Sequence, residues 1–188
     1  MSNFKKGVNE MVNDGLVMEL MKMFSANPES FPRVLSAFVR RELLQLSKSC
    51  DEQMKLIQNE SKENVSRRKY IQIHLADLGG LFLPLMEFLE YFRDIPLGKN
   101  EQGIVTADEI RLKLDDICSY ACMMCDDLPR GDDWNDVEDD EFDALKKKAL
   151  EAAADVKKAV MKVDESLALS WSESEEPEQE LKADFELQ

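Results

Sequence analysis

Apolar residues recur every three or four positions in five stretches of the chain, the spacing that places them on one face of an α-helix. These stretches are residues 8–24, 28–62, 65–92, 106–127 and 141–169. The pattern therefore predicts an all-α protein, a helical bundle of about five helices.

Local signals indicate where several of these helices begin. Asn27 before Pro28 is a good helix start, and Ser30 before Pro32 competes with it. Thr106 is followed three residues later by Glu109, the spacing of a capping box, so a helix should begin directly after Thr106.

Glycine and proline interrupt the pattern at two places. Gly79-Gly80 and Pro84 fall inside the third stretch, where proline removes a helical hydrogen bond, so we expect a kink or two helices. Residues 95–105 contain one proline and two glycines and predict a loop.

Negative charge is concentrated in the last third of the chain. The net charge is −15, of which residues 1–120 carry −2 and residues 121–188 carry −13. Residues 126–143, the acidic segment, hold ten Asp or Glu and one Arg. Such a surface repels nucleic acid and anionic membranes, and we expect neither as a direct partner. No apolar run is long enough to cross a bilayer.

These features divide the chain into four parts. Residues 1–128 form a helical core domain, residues 129–141 an acidic solvated linker, and residues 142–169 a helix that packs on the core or on a partner. Residues 170–188 are acidic, poor in apolar residues, and predict a disordered tail.

The helix at residues 142–169 has a seam of mostly small residues, which allows close approach of another helix and would permit homo-oligomerisation. The seam consists of Phe142, Leu145, Ala149, Ala152, Val156, Ala159 and Val163.

Cys118, Cys122 and Cys125 form the sharpest chemical pattern. Their C-x3-C-x2-C spacing resembles the motif with which radical S-adenosylmethionine enzymes hold an iron–sulfur cluster. In that family the motif lies on a loop ahead of a long α/β barrel, whereas here it falls within a predicted helix. Three cysteines at this spacing share one helix face with apolar residues, and core packing explains them more simply. A cluster or zinc role is kept as an alternative.

Other catalytic or cofactor chemistry has little support in the sequence. His74 is the only histidine and lies among apolar residues, so no catalytic set can be built around it. The order of acids in the acidic segment does not follow the calcium-loop rule. Arg67-Arg68-Lys69, with Arg40-Arg41, is the one candidate basic patch in the first 120 residues. We expect no cofactor and no enzymatic activity.

The leading hypothesis is therefore a non-enzymatic interaction or regulatory protein of the cytoplasm. Its acidic third would engage a basic partner, for example a nucleic-acid-binding protein, by presenting carboxylates in place of phosphates. The first helix is apolar and rich in methionine, so it must be buried or bind something, and methionine side chains adapt to varied partners. Two alternatives are an assembly or secretion chaperone for an apolar client segment and the iron–sulfur or zinc protein. Acidity that serves solubility alone is also open. The predicted partner-binding residues are Asp132, Asp133, Asp136, Asp139, Asp140, Met18 and Met21.

Overall fold

Two long antiparallel helices form the centre of the structure, a computed structural model that describes residues 14–100 and 103–168. They are α2, Phe31–Asn59, and α6, Asp139–Ala168. Contacts between α2 and α6 outnumber those of any other pair of elements. Ion pairs between Arg40 and Asp164 and between Asp51 and Lys157 fix the antiparallel register.

Four shorter helices complete the all-α bundle in the part of the chain that the structure describes. They are α1, Asp14–Ala26; α3, Tyr70–Gly80; α4, Leu83–Glu90; and α5, Ala107–Asp126. Short 3₁₀ turns lie at Val65–Arg67 and Gly131–Asn135. The prediction of an all-α bundle is confirmed.

Helix starts follow the local signals closely. Thr106 Oγ1 accepts a hydrogen bond from the backbone N–H of Glu109 at 3.3 Å, as the capping spacing predicted. Helix α2 begins at Phe31, so the signal at Ser30 and Pro32 prevails. Asn27 caps the preceding turn, where its Oδ1 accepts from Ser30 N at 3.3 Å. Pro84 lies in the first turn of α4, which is why the third stretch divides into two helices.

The prediction of a loop at residues 95–105 is wrong. The segment forms a small antiparallel hairpin of β1, Pro96–Asn100, and β2, Gly103–Thr106, with an irregularity between Pro96 and Gly98. Gly103 has φ 136°, a conformation that glycine adopts without strain. The hairpin delivers the chain directly to the cap of α5.

The core is continuous through all the helices. Thirty-seven apolar residues are buried and form one cluster, which includes six phenylalanines and tryptophan Trp134. Among the described residues, no helix combines the length and apolar character needed to traverse a lipid bilayer. The predicted tail, residues 170–188, and the predicted start of the first helix, residues 8–13, lie outside the described residues.

Candidate functional site

The acidic segment is anchored to the core rather than freely solvated. Three of its apolar side chains, Trp134, Val137 and Phe142, are buried, and the Trp134 and Phe142 rings meet edge to face with centroids 6.4 Å apart. The intervening acids point to solvent. The prediction of a solvated linker at residues 129–141 therefore needs correction, because a 3₁₀ turn and two of these anchors lie within it.

Four of the ten carboxylates of the acidic segment have a cationic partner. Asp126 pairs with Arg130 at 2.6 Å and Asp127 with Lys148 at 3.0 Å. The other two pairs reach the core, where Arg68 binds Asp139 at 2.7 Å and Lys62 binds Asp143 at 3.2 Å. Each of these interactions ties part of the segment to a defined position.

The remaining six carboxylates have no ion pair among the described residues, and all six residues are exposed. They are Asp132, Asp133, Asp136, Glu138, Asp140 and Glu141. Four of the predicted acidic partner-binding residues, Asp132, Asp133, Asp136 and Asp140, are therefore exposed and have no ion pair in the part of the chain that the structure describes. The fifth, Asp139, lies beside them but is engaged by Arg68.

Arg68 is the cation that connects the acidic segment to the core. Arg68 as a whole is only 5% exposed. Its guanidinium donates to the backbone carbonyl of Val137, to Asp139 Oδ1, and through Nη2 to the carbonyl of Lys62 at 2.5 Å. The same group lies 5.3 Å from the centroid of the Phe142 ring. A planar fork can satisfy several acceptors at once, which is what allows a charge to be buried here.

The loop that carries Arg68, residues 60–69, contains a second buried charge. Glu60 is 3% exposed and accepts two hydrogen bonds from Arg67, at 3.1 and 2.8 Å. Lys146 of α6 donates to the carbonyls of Gln58 and Glu60, both at 2.7 Å, and so caps the carboxyl end of α2. This loop therefore fixes the first turns of α6 against the core.

The candidate basic patch does not form a free cationic surface. Arg67 is engaged by Glu60 and Arg68 by the acidic segment. Arg40 pairs with Asp164 at 3.1 Å, and Arg41 pairs with its neighbour Glu42 at 2.8 Å. Four of the five charges in the candidate basic patch thus make ion pairs within the chain, and the fifth, Lys69, is half-buried.

His74 lies beside the Glu60 carboxylate. Its Nε2 is 3.6 Å from Glu60 Oε1, and neither ring nitrogen has a hydrogen-bond partner. The ring is 6.1 Å from that of Tyr70. This arrangement brings an acid and an imidazole together beside the phenol ring of Tyr70.

The cysteine face of α5 is only partly in the core. Cys118 and Cys125 are half-buried, whereas Cys122 is exposed, which corrects the expectation that all three pack inside. Cys122 lies at the edge of the contact with α3, where a Cβ placed on Gly79 would be 3.5 Å from its Sγ.

Two of these thiols have raised pKa values. Burial, together with the neighbouring Cys122, raises the pKa of the Cys118 thiol. Burial and Asp126 raise the pKa of Cys125. A raised pKa favours the protonated thiol over the thiolate when no metal is bound. Among the described residues, no group of three or more His, Cys, Asp or Glu is placed to hold a metal ion.

The predicted methionine contacts lie on α1. Val17 and Leu20 of this helix are buried, whereas Met18 and Met21 are 56% and 47% exposed. Met23 and Phe24 are also exposed, and these four residues are called the methionine face below. A shallow, wide-open groove on the surface of α1 is lined by Met18, Met21, Lys22, Ser25 and Ala26.

The methionine face and the acidic segment are separate surfaces. Phe24 contacts Phe31 at the start of α2, with ring centroids 5.1 Å apart. The acidic segment contacts the loop after the end of α2. At 1.5 Å per residue, the 29 residues of α2 place the two surfaces about 40 Å apart. They cannot form one compact site.

The heptad seam is occupied by the chain itself. Phe142, Ala149, Ala152, Val156 and Val163 are each at most 5% exposed, in the helix that packs mainly on α2. The small residues of the seam thus allow close contact within one molecule. The two other seam residues, Leu145 and Ala159, are half-buried.

In comparisons with protein-family models, curated proteins and solved structures, nothing matches this chain. The functional argument therefore rests on its own residues.

Sequence inspection missed the connection between Arg68, Glu60 and the acidic segment. Two features of the sequence could have indicated it. One is the pair Trp134 and Val137 within a highly charged run, which suggests anchors in a segment that otherwise prefers water. The other is the presence of two basic runs, Arg67-Arg68-Lys69 and Lys146-Lys147-Lys148, in a chain with one strong acidic run.

Proposed function

We propose that the protein is a non-enzymatic interaction protein whose acidic segment binds a basic surface of a partner protein. A single observation carries the proposal: six exposed carboxylates without ion pairs lie on a segment whose apolar side chains are anchored in the core. Like charges held close together repel one another, and a cationic partner removes that cost.

Anchoring distinguishes this surface from a flexible acidic run. A flexible run loses conformational entropy when it binds, whereas an anchored one has already lost it on folding. A fixed array of carboxylates suits a partner whose basic groups are themselves fixed, such as a protein that binds phosphates of nucleic acid. A regulatory role by occupying such a site is the finer form of the proposal.

The four cysteines are free thiols, and reduced thiols are the usual state in the cytoplasm. A cytoplasmic location is accordingly part of the proposal.

A labelled decalysine peptide provides a direct test of the acidic segment. Binding followed by fluorescence anisotropy should be measurable at low ionic strength and should weaken steeply towards about 150 mM salt, where charges are screened over roughly 8 Å. Replacing Asp132, Asp133, Asp136 and Asp140 together by Asn should abolish most of this binding.

A second quadruple variant controls for net charge. Glu63, Asp77, Glu87 and Glu165 are exposed, have no ion pair among the described residues, and are dispersed over the chain. Changing these four to their amides removes the same charge and should leave most of the binding intact. Equal losses in both variants would show that only net charge matters, and the acidic segment would then serve solubility.

A chaperone for an apolar client segment is the second candidate, because the methionine face leaves large apolar side chains exposed beside a groove. Methionine adapts its shape to varied apolar partners. An apolar dye such as anilinonaphthalene sulfonate should bind the protein and should lose affinity in a Met18→Gln, Met21→Gln variant. The control is Met161→Gln, since Met161 is 46% exposed on α6. Dye binding that is equal in both variants would count against this candidate.

A further inference from the structure

Arg68 makes contacts that no other cation of the described chain makes. It joins the carbonyl of Lys62 in the α2–α3 loop to the carbonyl of Val137 and to Asp139, where α6 begins. It also lies against the Phe142 ring, which in turn contacts Trp134. One buried guanidinium therefore touches the backbone, an acid and an aromatic anchor of the acidic segment.

The location of these contacts matters as much as their number. Val137 and Asp139 lie between the free carboxylates of Asp136 and Asp140. A contact that fixes the backbone at these positions also fixes the directions of the neighbouring acids. Arg130, the other arginine near these acids, is exposed and reaches only Asp126 in the same stretch of chain.

We propose that Arg68 is a positioning residue that holds the acidic segment in the arrangement required to bind a cationic partner. The inference rests on the proposed function, because it assigns to Arg68 the geometry of that same surface. Arg68 itself is too buried to touch the partner, so its effect is exerted through the segment that it anchors.

Electrostatics and positioning make opposite predictions when Arg68 is replaced. Arg68→Met removes one positive charge beside the acids, so Coulomb attraction alone predicts tighter binding of a cationic probe. Loss of positioning predicts weaker binding, because the segment must then be ordered when the partner arrives. The direction of the change therefore identifies the role of Arg68.

The experiment compares Arg68→Met with Arg130→Met in full-length protein, using the decalysine peptide at low ionic strength. Both variants remove the same charge. Arg68→Met should bind about three- to tenfold more weakly than the unchanged protein, the effect of ordering one further group on binding. Arg130→Met should bind equally or more tightly.

Two measurements follow the segment itself. In a Trp171→Phe background Trp134 is the only tryptophan, and its emission should shift to the red in Arg68→Met but not in Arg130→Met. Amide hydrogen exchange in residues 131–143 should accelerate in the same variant alone. If Arg68→Met fails to fold, Arg68→Lys tests the positioning role instead. This variant retains the positive charge but loses the planar guanidinium that bonds several acceptors at once. It should bind the decalysine peptide more weakly than the unchanged protein.

The results separate the two proposals. If the unchanged protein does not bind the probe in a salt-dependent way, the proposed function fails. If it does bind, and the Arg68 variants bind as tightly as Arg130→Met, the positioning role fails while the proposed function stands. A shift of Trp134 emission with unchanged affinity also overturns it, because the anchoring would then be purely structural.

Discussion

Trp134 provides a demanding test of how the acidic segment is attached. It is 1% exposed and is the largest side chain in the segment, yet its indole Nε1 has no hydrogen-bond partner among the described residues. Burial of the ring is favourable, whereas burial of an unpaired N–H is costly. The two contributions can be separated by two substitutions at the same position.

Trp134→Ala removes the ring and leaves a cavity, which should lower the free energy of unfolding by about 3–5 kcal/mol. Trp134→Phe keeps most of the aromatic contact with Phe142 and removes the unpaired N–H. Removing the unpaired N–H should raise the free energy of unfolding by about 1–3 kcal/mol, and the smaller buried ring should lower it by a similar amount. The net change in the free energy of unfolding should therefore stay within about 1 kcal/mol.

Urea unfolding followed by circular dichroism measures both changes without depending on tryptophan emission. Equal m-values would show that both variants expose the same surface area on unfolding. A loss above about 2 kcal/mol in Trp134→Phe would refute the reasoning, because it would mean that the indole N–H is satisfied in the folded protein.

Four further predictions concern thiols and glycines. Cys122 is exposed whereas Cys50 is fully buried, so iodoacetamide should label Cys122 first and Cys50 only on unfolding, as read by mass spectrometry. Burial and the adjacent Asp51 raise the pKa of Cys50 from 9.0 to about 12, so the protonated thiol is favoured in the folded state. Its contribution to stability should be complete below pH 9.0 and lost as pH rises towards about 12, and Cys50→Ala should reduce this pH dependence. Gly80→Ala should raise the free energy of unfolding by about 0.5–1 kcal/mol in urea titrations, because nothing lies near the added methyl. Gly79→Ala should act in the same direction, since its methyl would make ordinary contacts with α5.

Helix positions were predictable because their signals are local. The capping pair Thr106 and Glu109, and the proline that opens α4, act within a few residues of themselves. The hairpin was not predictable in this way. Its first strand contains Pro96 and Gly98, both poor strand formers, and it is recognisable only from its pairing with β2.

Two other features could not be predicted from the sequence. One is the burial of residues at the margin of a helix face, and the other is ion pairing between residues far apart in the chain. Periodicity places Cys122 near the apolar stripe of α5, but whether it is covered depends on how closely α3 approaches at Gly79. The seam of α6 predicted a close helical neighbour without revealing that α2 of the same chain supplies it. The role of Arg68 depends on residues about 70 positions away, brought together only by the packing of α6 on α2.

Not every acid of the segment needs a partner to explain it. Asp139, Asp140 and Glu141 lie in the first turn of α6, where the helix dipole favours negative charge by about 0.3–1 kcal/mol for each residue. Asp132, Asp133 and Asp136 lie before that helix and gain little from its dipole. Their free carboxylates repel one another without an evident return in stability. Binding therefore offers a physical reason for these three acids in particular. If replacing Asp132, Asp133 and Asp136 lowers the affinity for the decalysine probe more than replacing Asp140 does, the acids form an interaction surface and do not serve only to cap a helix.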